Sequence, residues 1–174
     1  MTDVLPNFKY HPNPVATGVI NAGQTQCPVC NRQRSYVYEG PFYSREEVAG
    51  ICPWCIHDGS AARKYHGCFQ DGASCEPVDK AEYLDELVHR TPGYCGFQQE
   101  VWLSHCGDFC AYVGYAKRRD IEPLMDELEN DVQRTKRDYR LSDEDFLKAV
   151  DGALCAYLFK CIHCDQHRVA FDSD

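Results

Sequence analysis

No stretch of the chain approaches the ~18 consecutive apolar residues that a membrane-spanning helix needs. The opening, Met1-Thr2-Asp3-Val4-Leu5-Pro6, has neither the basic start nor the apolar run of a secretory signal. Both absences lead to the expectation of a soluble, cytoplasmic protein with no membrane partner. Positive charge is scarce too: 18 Lys and Arg stand against 27 Asp and Glu, a formal charge of -9. That balance argues against a surface built throughout to neutralise phosphates, so nucleic acid is not an expected partner. It suits solubility, or the docking of a basic protein. Solenoid-period repeats and low-complexity segments are also missing.

What is present is cysteine, twelve in 174 residues. In a chain without an export signal, thiols are kept reduced, so metal binding explains them better than a disulfide framework. Eight fall into close pairs, while Cys68, Cys75, Cys95 and Cys155 stand apart and read as small buried hydrophobes. With 44% apolar residues, a chain of this length buries about 70% of its unfolded surface, enough for one core or two small ones.

Three regions follow from the order of signals. Residues 1–26, rich in Pro, Asn and Gly, form an extended N-terminal arm. Residues 27–78 hold two CxxC pairs around the aromatic alternation "SYVYEGPFY", then a helix start at "DGSAARKY" with Asp58 as N-cap. Residues 79–174 form an α+β region with helices in "DKAEYLDELVHR" and "IEPLMDELENDVQRTKR". A third helix opens on the capping pair Ser142 and Asp145. Strands are expected in "EVWLSHC", "CAYVGYA", "LCAYLFK" and "HRVAF". The fold class is α+β: zinc-ribbon-like knuckles with short antiparallel strands plus several helices.

Zinc takes a tetrahedral set of thiolates and imidazoles, and a CxxC turn presents two sulfurs to one ion. Cys27 and Cys30 are separated from Cys52 and Cys55 by 21 residues, room for an out-and-back strand pair between the knuckles. A redox role for Cys52-Pro53-Trp54-Cys55 is the rival, since a CxxC at a helix start has a depressed thiol pKa. The second pair close upstream favours metal. A second site is expected from Cys106, Cys110, Cys161 and Cys164, with His105 or His163 as possible substitutes. His163, lying between two ligands, reads as a surface residue. Each site has four soft ligands and no open position for water, so two structural zinc ions are expected. His57, Asp58, Glu100 and Asp108 lie beside the sites as candidate acids and bases, and as caps, turn residues or solvated groups on the plainer reading.

At "PNPVATG", "CPWCIHDGSAARKY", "RTPGY", "HCGD" and "YLFKCIHC" the chain resembles the CbrC family of small bacterial proteins, from about His11 to the C-terminus. The resemblance implies a cytosolic bacterial protein with cysteine knuckles at these positions, and a link to tolerance of a DNase-type colicin. It also implies that Cys110 is not a fixed feature, which raises His105 as its substitute. The expected function is non-enzymatic protein binding, as an immunity-like or toxin-tolerance factor whose partner is a basic toxin domain. The alternatives are a metal-dependent hydrolase or nuclease using Asp58, Glu100 or Asp108, and a nucleic-acid-binding ribbon using Arg32, Arg34, Arg63, Lys64, Lys117, Arg118 and Arg119.

Overall fold

The computed structural model describes residues 4–150 and 152–173. Met1 to Asp3 of the expected arm, with Asp151 and Asp174, lie outside the described residues. The fold is α+β, with short antiparallel sheets and mostly short helices. No helix among the described residues is long and apolar enough to cross a membrane.

The arm ends in β1 (Ile20–Gln26), which pairs antiparallel with β2 (Gln33–Tyr38). This places the first hairpin around Cys27 and Cys30, not between the two cysteine pairs as the 21-residue spacing suggests. The expectation fails because the strand that pairs with β2 lies upstream, in the arm. Two short helices follow, α1 (Pro53–His57) and α2 (Ser60–Tyr65). The Asp58 carboxylate accepts from the Ser60 N–H at 2.8 Å, although the residue in the N-cap position of α2 is Gly59. Next comes α3 (Ala81–Arg90), in the first of the expected helical segments.

The segment read as the strand "EVWLSHC" is extended mainly by isolated contacts. Only Ser104–His105 forms β3, paired with β4 (Asp108–Phe109). A three-stranded antiparallel sheet then takes β5 (Ala111–Ala116), β6 (Leu154–Lys160) and β7 (His167–Ser173), with β6 central. Between β5 and β6 run α4 (Arg118–Ile121), α5 (Met125–Tyr139) and α6 (Asp143–Val150). Ser142 caps α6: its hydroxyl accepts from the Asp145 N–H at 3.1 Å and donates to the Asp145 carboxylate at 2.6 Å.

Side chains alternate across a strand, and β6 uses both faces. Leu154, Ala156 and Leu158 join Ile121, Leu128, Val132, Phe146 and Val169 in one apolar cluster under α5 and α6. Tyr157 and Phe159 point the other way, into an aromatic cluster with Tyr10, Tyr94, Trp102, Phe109 and Tyr112. A third cluster, built on Phe8, Ile20, Tyr38, Ile51, Ile56 and Phe69, surrounds the first cysteine pairs. The buried interior is therefore divided into three small clusters where composition suggests one or two. Of the four cysteines outside the close sequence pairs, Cys68, Cys75 and Cys155 are half-buried, but Cys95 is exposed in the loop before Gly96.

Candidate metal centres

The two CxxC turns that close hairpins have the same backbone. In the first, Cys27 donates its N–H to the Arg32 carbonyl at 3.0 Å, and the Asn31 N–H returns to the Cys27 carbonyl at 2.9 Å. In the second, Cys161 donates to the Gln166 carbonyl at 2.8 Å, and the Asp165 N–H returns to the Cys161 carbonyl at 3.2 Å. Asn31 and Asp165 are both left-handed, at φ 58 and 62. Asn and Asp tolerate that conformation better than other side-chain-bearing residues, which is why each follows the second cysteine of its turn.

Cys52 and Cys55 are presented differently, from the start of α1. Cys52 is its extended N-cap, and Pro53 occupies the first turn, where a missing N–H costs nothing. The sulfurs of Cys27 and Cys55 lie 3.9 Å apart, as do those of Cys30 and Cys52, and all four fall within 4.8 Å of one another. Tetrahedral zinc–sulfur bonds of about 2.3 Å give sulfur–sulfur edges of about 3.8 Å, so the set fits. The Cys52 N–H points at the Cys27 sulfur at 3.4 Å. The hydrogen bond between the Cys27 and Cys52 sulfurs pushes the Cys27 thiol down to about 4 and the Cys52 thiol up, while burial pushes Cys55 up to about 11. Sulfurs so close contend for few protons, the condition a cation relieves. Three of the four residues are buried and Cys30 is half-buried.

The second group is His105, Cys106, Cys161 and Cys164. The β3–β4 connection has two residues, Cys106 at φ 53 and Gly107 at φ 75, the left-handed pair that the tightest hairpins use. A Cβ at Gly107 would fall 2.1 Å from an Asp79 carboxylate oxygen, so the turn also needs glycine for space. The Cys106 and Cys164 sulfurs are 3.7 Å apart, and the His105 Nδ1 is 3.2 and 3.3 Å from them. Bonds of about 2.1 and 2.3 Å would give nitrogen–sulfur edges of about 3.6 Å, a few tenths longer than these. The Cys164 thiol is lowered, chiefly by the Gln166 N–H, and Cys106 is pushed up to about 11 by its hydrogen bond with Cys164. Unlike the first group, this one sits at the surface, with Cys106 and Cys164 exposed.

Cys110, expected as the fourth ligand here, is not in the group, and His105 takes its place. The tight turn ends at Asp108, and Cys110 lies beyond β4 in the aromatic cluster, fully buried. There its N–H donates to the Leu103 carbonyl at 3.0 Å and its carbonyl accepts from the Trp102 indole at 2.9 Å. Burial pushes its thiol up to about 12.

Of the candidate acids and bases, Asp108 is buried against the second group. It accepts from Lys9 Nζ at 2.8 Å, the Tyr10 hydroxyl at 2.7 Å and His163 Nε2 at 3.1 Å. Burial alone would raise its pKa, but these three bonds hold it below the ordinary carboxylate value. His163 is exposed, and its N–H points at the Cys161 sulfur at 3.4 Å. Glu100 is buried elsewhere and accepts from the Tyr43 hydroxyl at 2.8 Å and the Gly96 N–H at 3.2 Å. His57 is exposed, with its ring edge-on to Phe8. The sequence reading missed the pair of buried Asp131 and half-buried Arg168, joined at 2.8 and 2.9 Å and tying α5 to β7. An Asp on a helix and an Arg on a strand carry no signal until the fold brings them together.

Two hairpin knuckles, one completed by a helix start and one by a second hairpin, define a small α+β protein whose clustered thiolates and imidazole have the dimensions of two metal sites. The chain belongs to the Uncharacterised protein family (UPF0167), which it matches over residues 5–173. It is 41% identical over 173 residues to UPF0167 protein Mb2317 of Mycobacterium bovis, covering 94% of this chain and 90% of that protein. It is 40% identical over 180 residues to UPF0167 protein PA1536 of Pseudomonas aeruginosa, covering 99% of each. No solved structure gives a significant match.

Proposed function

We propose that the chain is a zinc-stabilised, non-enzymatic protein-binding protein, with two structural zinc ions at the two groups. The observation that carries the binding role is a set of exposed aromatic side chains linked to one segment, Cys95 to Glu100. Phe97 is 61% exposed, Tyr115 60% and Tyr43 43%. Hydrogen bonds keep them neighbours: the Tyr115 hydroxyl bonds the Cys95 carbonyl, and Tyr43 and the Gly96 N–H share Glu100. Aromatic side chains clustered in water are a common mark of a protein interface. With the chain at -9, charge complementarity points to a basic partner. The finer reading, a basic nuclease toxin domain met in the cytoplasm, rests on the colicin-tolerance link of the resembled CbrC family. The carboxylates a hydrolase would use are dispersed, with Asp108 and Glu100 each buried in its own hydrogen bonds and Asp58 engaged at the start of α2. Of the cations a nucleic-acid ribbon would use, Arg118 pairs with Glu122, and Arg34 lies over the Trp54 ring.

The test is surface plasmon resonance against purified nuclease toxin domains. Binding should weaken at least tenfold in Phe97→Ser with both metals retained, and the association rate should fall as salt rises, since opposite charges are screened over about 8 Å at physiological ionic strength. Nucleic-acid or ester hydrolysis abolished by Asp58→Asn in a variant that keeps its metal would overturn the proposal.

A further inference from the structure

A cleft of about 550 Å³ opens between α2 and α3, away from both cysteine groups. Its base is made of small residues, Gly59, Ala62 and Gly67, all buried. Around it stand Arg63 and His66 from the α2 end and His89 and Arg90 from the end of α3. Gly59 lets the two arginines converge. At φ +71 it lies so close beneath them that a Cβ there would be 2.9 Å from Arg63 Nη1 and 3.3 Å from Arg90 Cγ.

Two cations lining one cleft repel, and a carboxylate offsets such repulsion. Acidic groups are plentiful in this chain, at 27 against 18 cations, and Lys9, Arg118, Arg134 and Arg168 are each paired with one. Among the described residues neither Arg63 nor Arg90 forms an ion pair. Arg63 donates Nη1 to the Asp58 carbonyl at 3.0 Å, which orients the guanidinium without neutralising it. The one carboxylate lining the cleft, Asp85, bonds His89 Nδ1 at 2.9 Å. The cleft thus sets two guanidinium groups outside any ion pair against a single carboxylate, with donors to spare, over a floor without bulky side chains.

We propose that this cleft binds a small soluble ligand carrying a phosphate or diphosphate group, with Arg63 and Arg90 on the phosphoryl oxygens. The planar guanidinium fork matches phosphate geometry, and the volume suits a ligand of nucleotide size. No member of the two cysteine groups and none of the three exposed aromatic residues lines the cleft, although Tyr43 pairs through its backbone with Cys68 at the cleft edge.

The experiment titrates the full-length, metal-loaded protein with inorganic pyrophosphate, ADP and a short single-stranded DNA by calorimetry, and maps amide shifts on the unsubstituted chain by NMR. Saturable binding of pyrophosphate or ADP is expected, with shifts centred on Gly59, Gly67 and His89. Arg63→Ala and Arg90→Ala should each weaken it by about tenfold, the loss of one charge-assisted hydrogen bond, while Arg32→Ala leaves it unchanged. The NMR map decides the matter should a variant fail to fold. Absence of saturable binding at millimolar ligand, shifts centred elsewhere, or preference for DNA over both small ligands would overturn the proposal, the last assigning the cleft to nucleic acid.

Discussion

His105 and Cys110 lie five residues apart, and the placement of one in the second cysteine group and the other in the core gives their alanine variants opposite signatures. Cys110→Ala removes one sulfur from a fully buried position among aromatic rings. By the usual cost of deleting one buried heavy atom, this destabilises by about 1 kcal/mol, lowering the melting temperature by about 3 °C. Its neighbours' bonds run to the Cys110 backbone and survive the change. Both metals should remain. His105→Ala deletes a half-buried imidazole with little packing to lose, but takes away one of four donors. Structural zinc binding of about 10 to 16 kcal/mol, shared over four ligands, makes each worth about 3 kcal/mol, or roughly a hundredfold in affinity. Elemental analysis after dialysis against a competing chelator, alongside thermal melts, separates the two variants. Two metals are expected in Cys110→Ala and one in His105→Ala. One metal in Cys110→Ala with two in His105→Ala would refute the assignment and return Cys110 to the ligand set.

Three further outcomes follow from the same geometry. Wild-type protein should carry two zinc ions, and a chelator should strip the exposed second group before the buried first; simultaneous loss, timed by a colorimetric zinc assay, would contradict the difference in burial. Asp131→Ala removes the buried carboxylate that holds Arg168 and the Val169 N–H, leaving Arg168 with Glu76, and should cost about 2 kcal/mol in chemical denaturation, whereas a loss under about 1 kcal/mol would make the pair equivalent to a surface contact. Burial pushes His11 down to about 4 against an opposing bond to the Pro92 carbonyl, so the folded state binds fewer protons than the unfolded chain between about pH 4 and 6.5. Stability from neutral His11 is therefore present above pH 6.5 and lost on acidification, by about 2 kcal/mol from pH 6.5 to 5. Metal-loaded His11→Gln should lack this component, and identical pH slopes for the two proteins would exclude it.

The parts of the fold legible in the sequence are those written in local spacing. The apolar stripe of Leu124, Leu128 and Val132 announces α5, and CxxC followed by Asn31 or Asp165 announces the two hairpin turns. The continuous apolar run Leu154 to Phe159 marks a strand buried on both faces, since its odd and even members enter different clusters. Pairing between distant segments was not legible. Nothing in Ile20 to Gln26 shows that β2 will choose it as a partner over the residues downstream. The choice between His105 and Cys110 depended on the two-residue turn at Cys106 and Gly107, for which the glycine was a signal outweighed by the simpler count of four cysteines. Asp108, read as a turn residue, is a buried acceptor because the arm returns to cover it.

Cysteine groups with the dimensions of metal sites suit an interior divided as this one is. No single cluster is large: the interior is split three ways, and the sheet that separates two of the clusters has only three strands. Small cores leave little margin over chain entropy, and cross-links supply it. A cation held by the first group would fasten the β1–β2 hairpin to α1 within the first cluster. One held by the second would fasten the β3–β4 turn to the β6–β7 turn, residues more than fifty positions apart, where closure of a long loop is entropically most expensive. Between them runs the arm, with Phe8 in the first cluster and Tyr10 in the second, and with Lys9 and Tyr10 both bonded to Asp108 beside the second group. Asp108 also holds His163, inside the Cys161–Cys164 turn. Hydrogen bonds and packing thus run without a break from the second group through His163 and Asp108 to the arm, and from the arm through Phe8 to the first cluster. The two cysteine groups, though separate in space, brace one continuous structure.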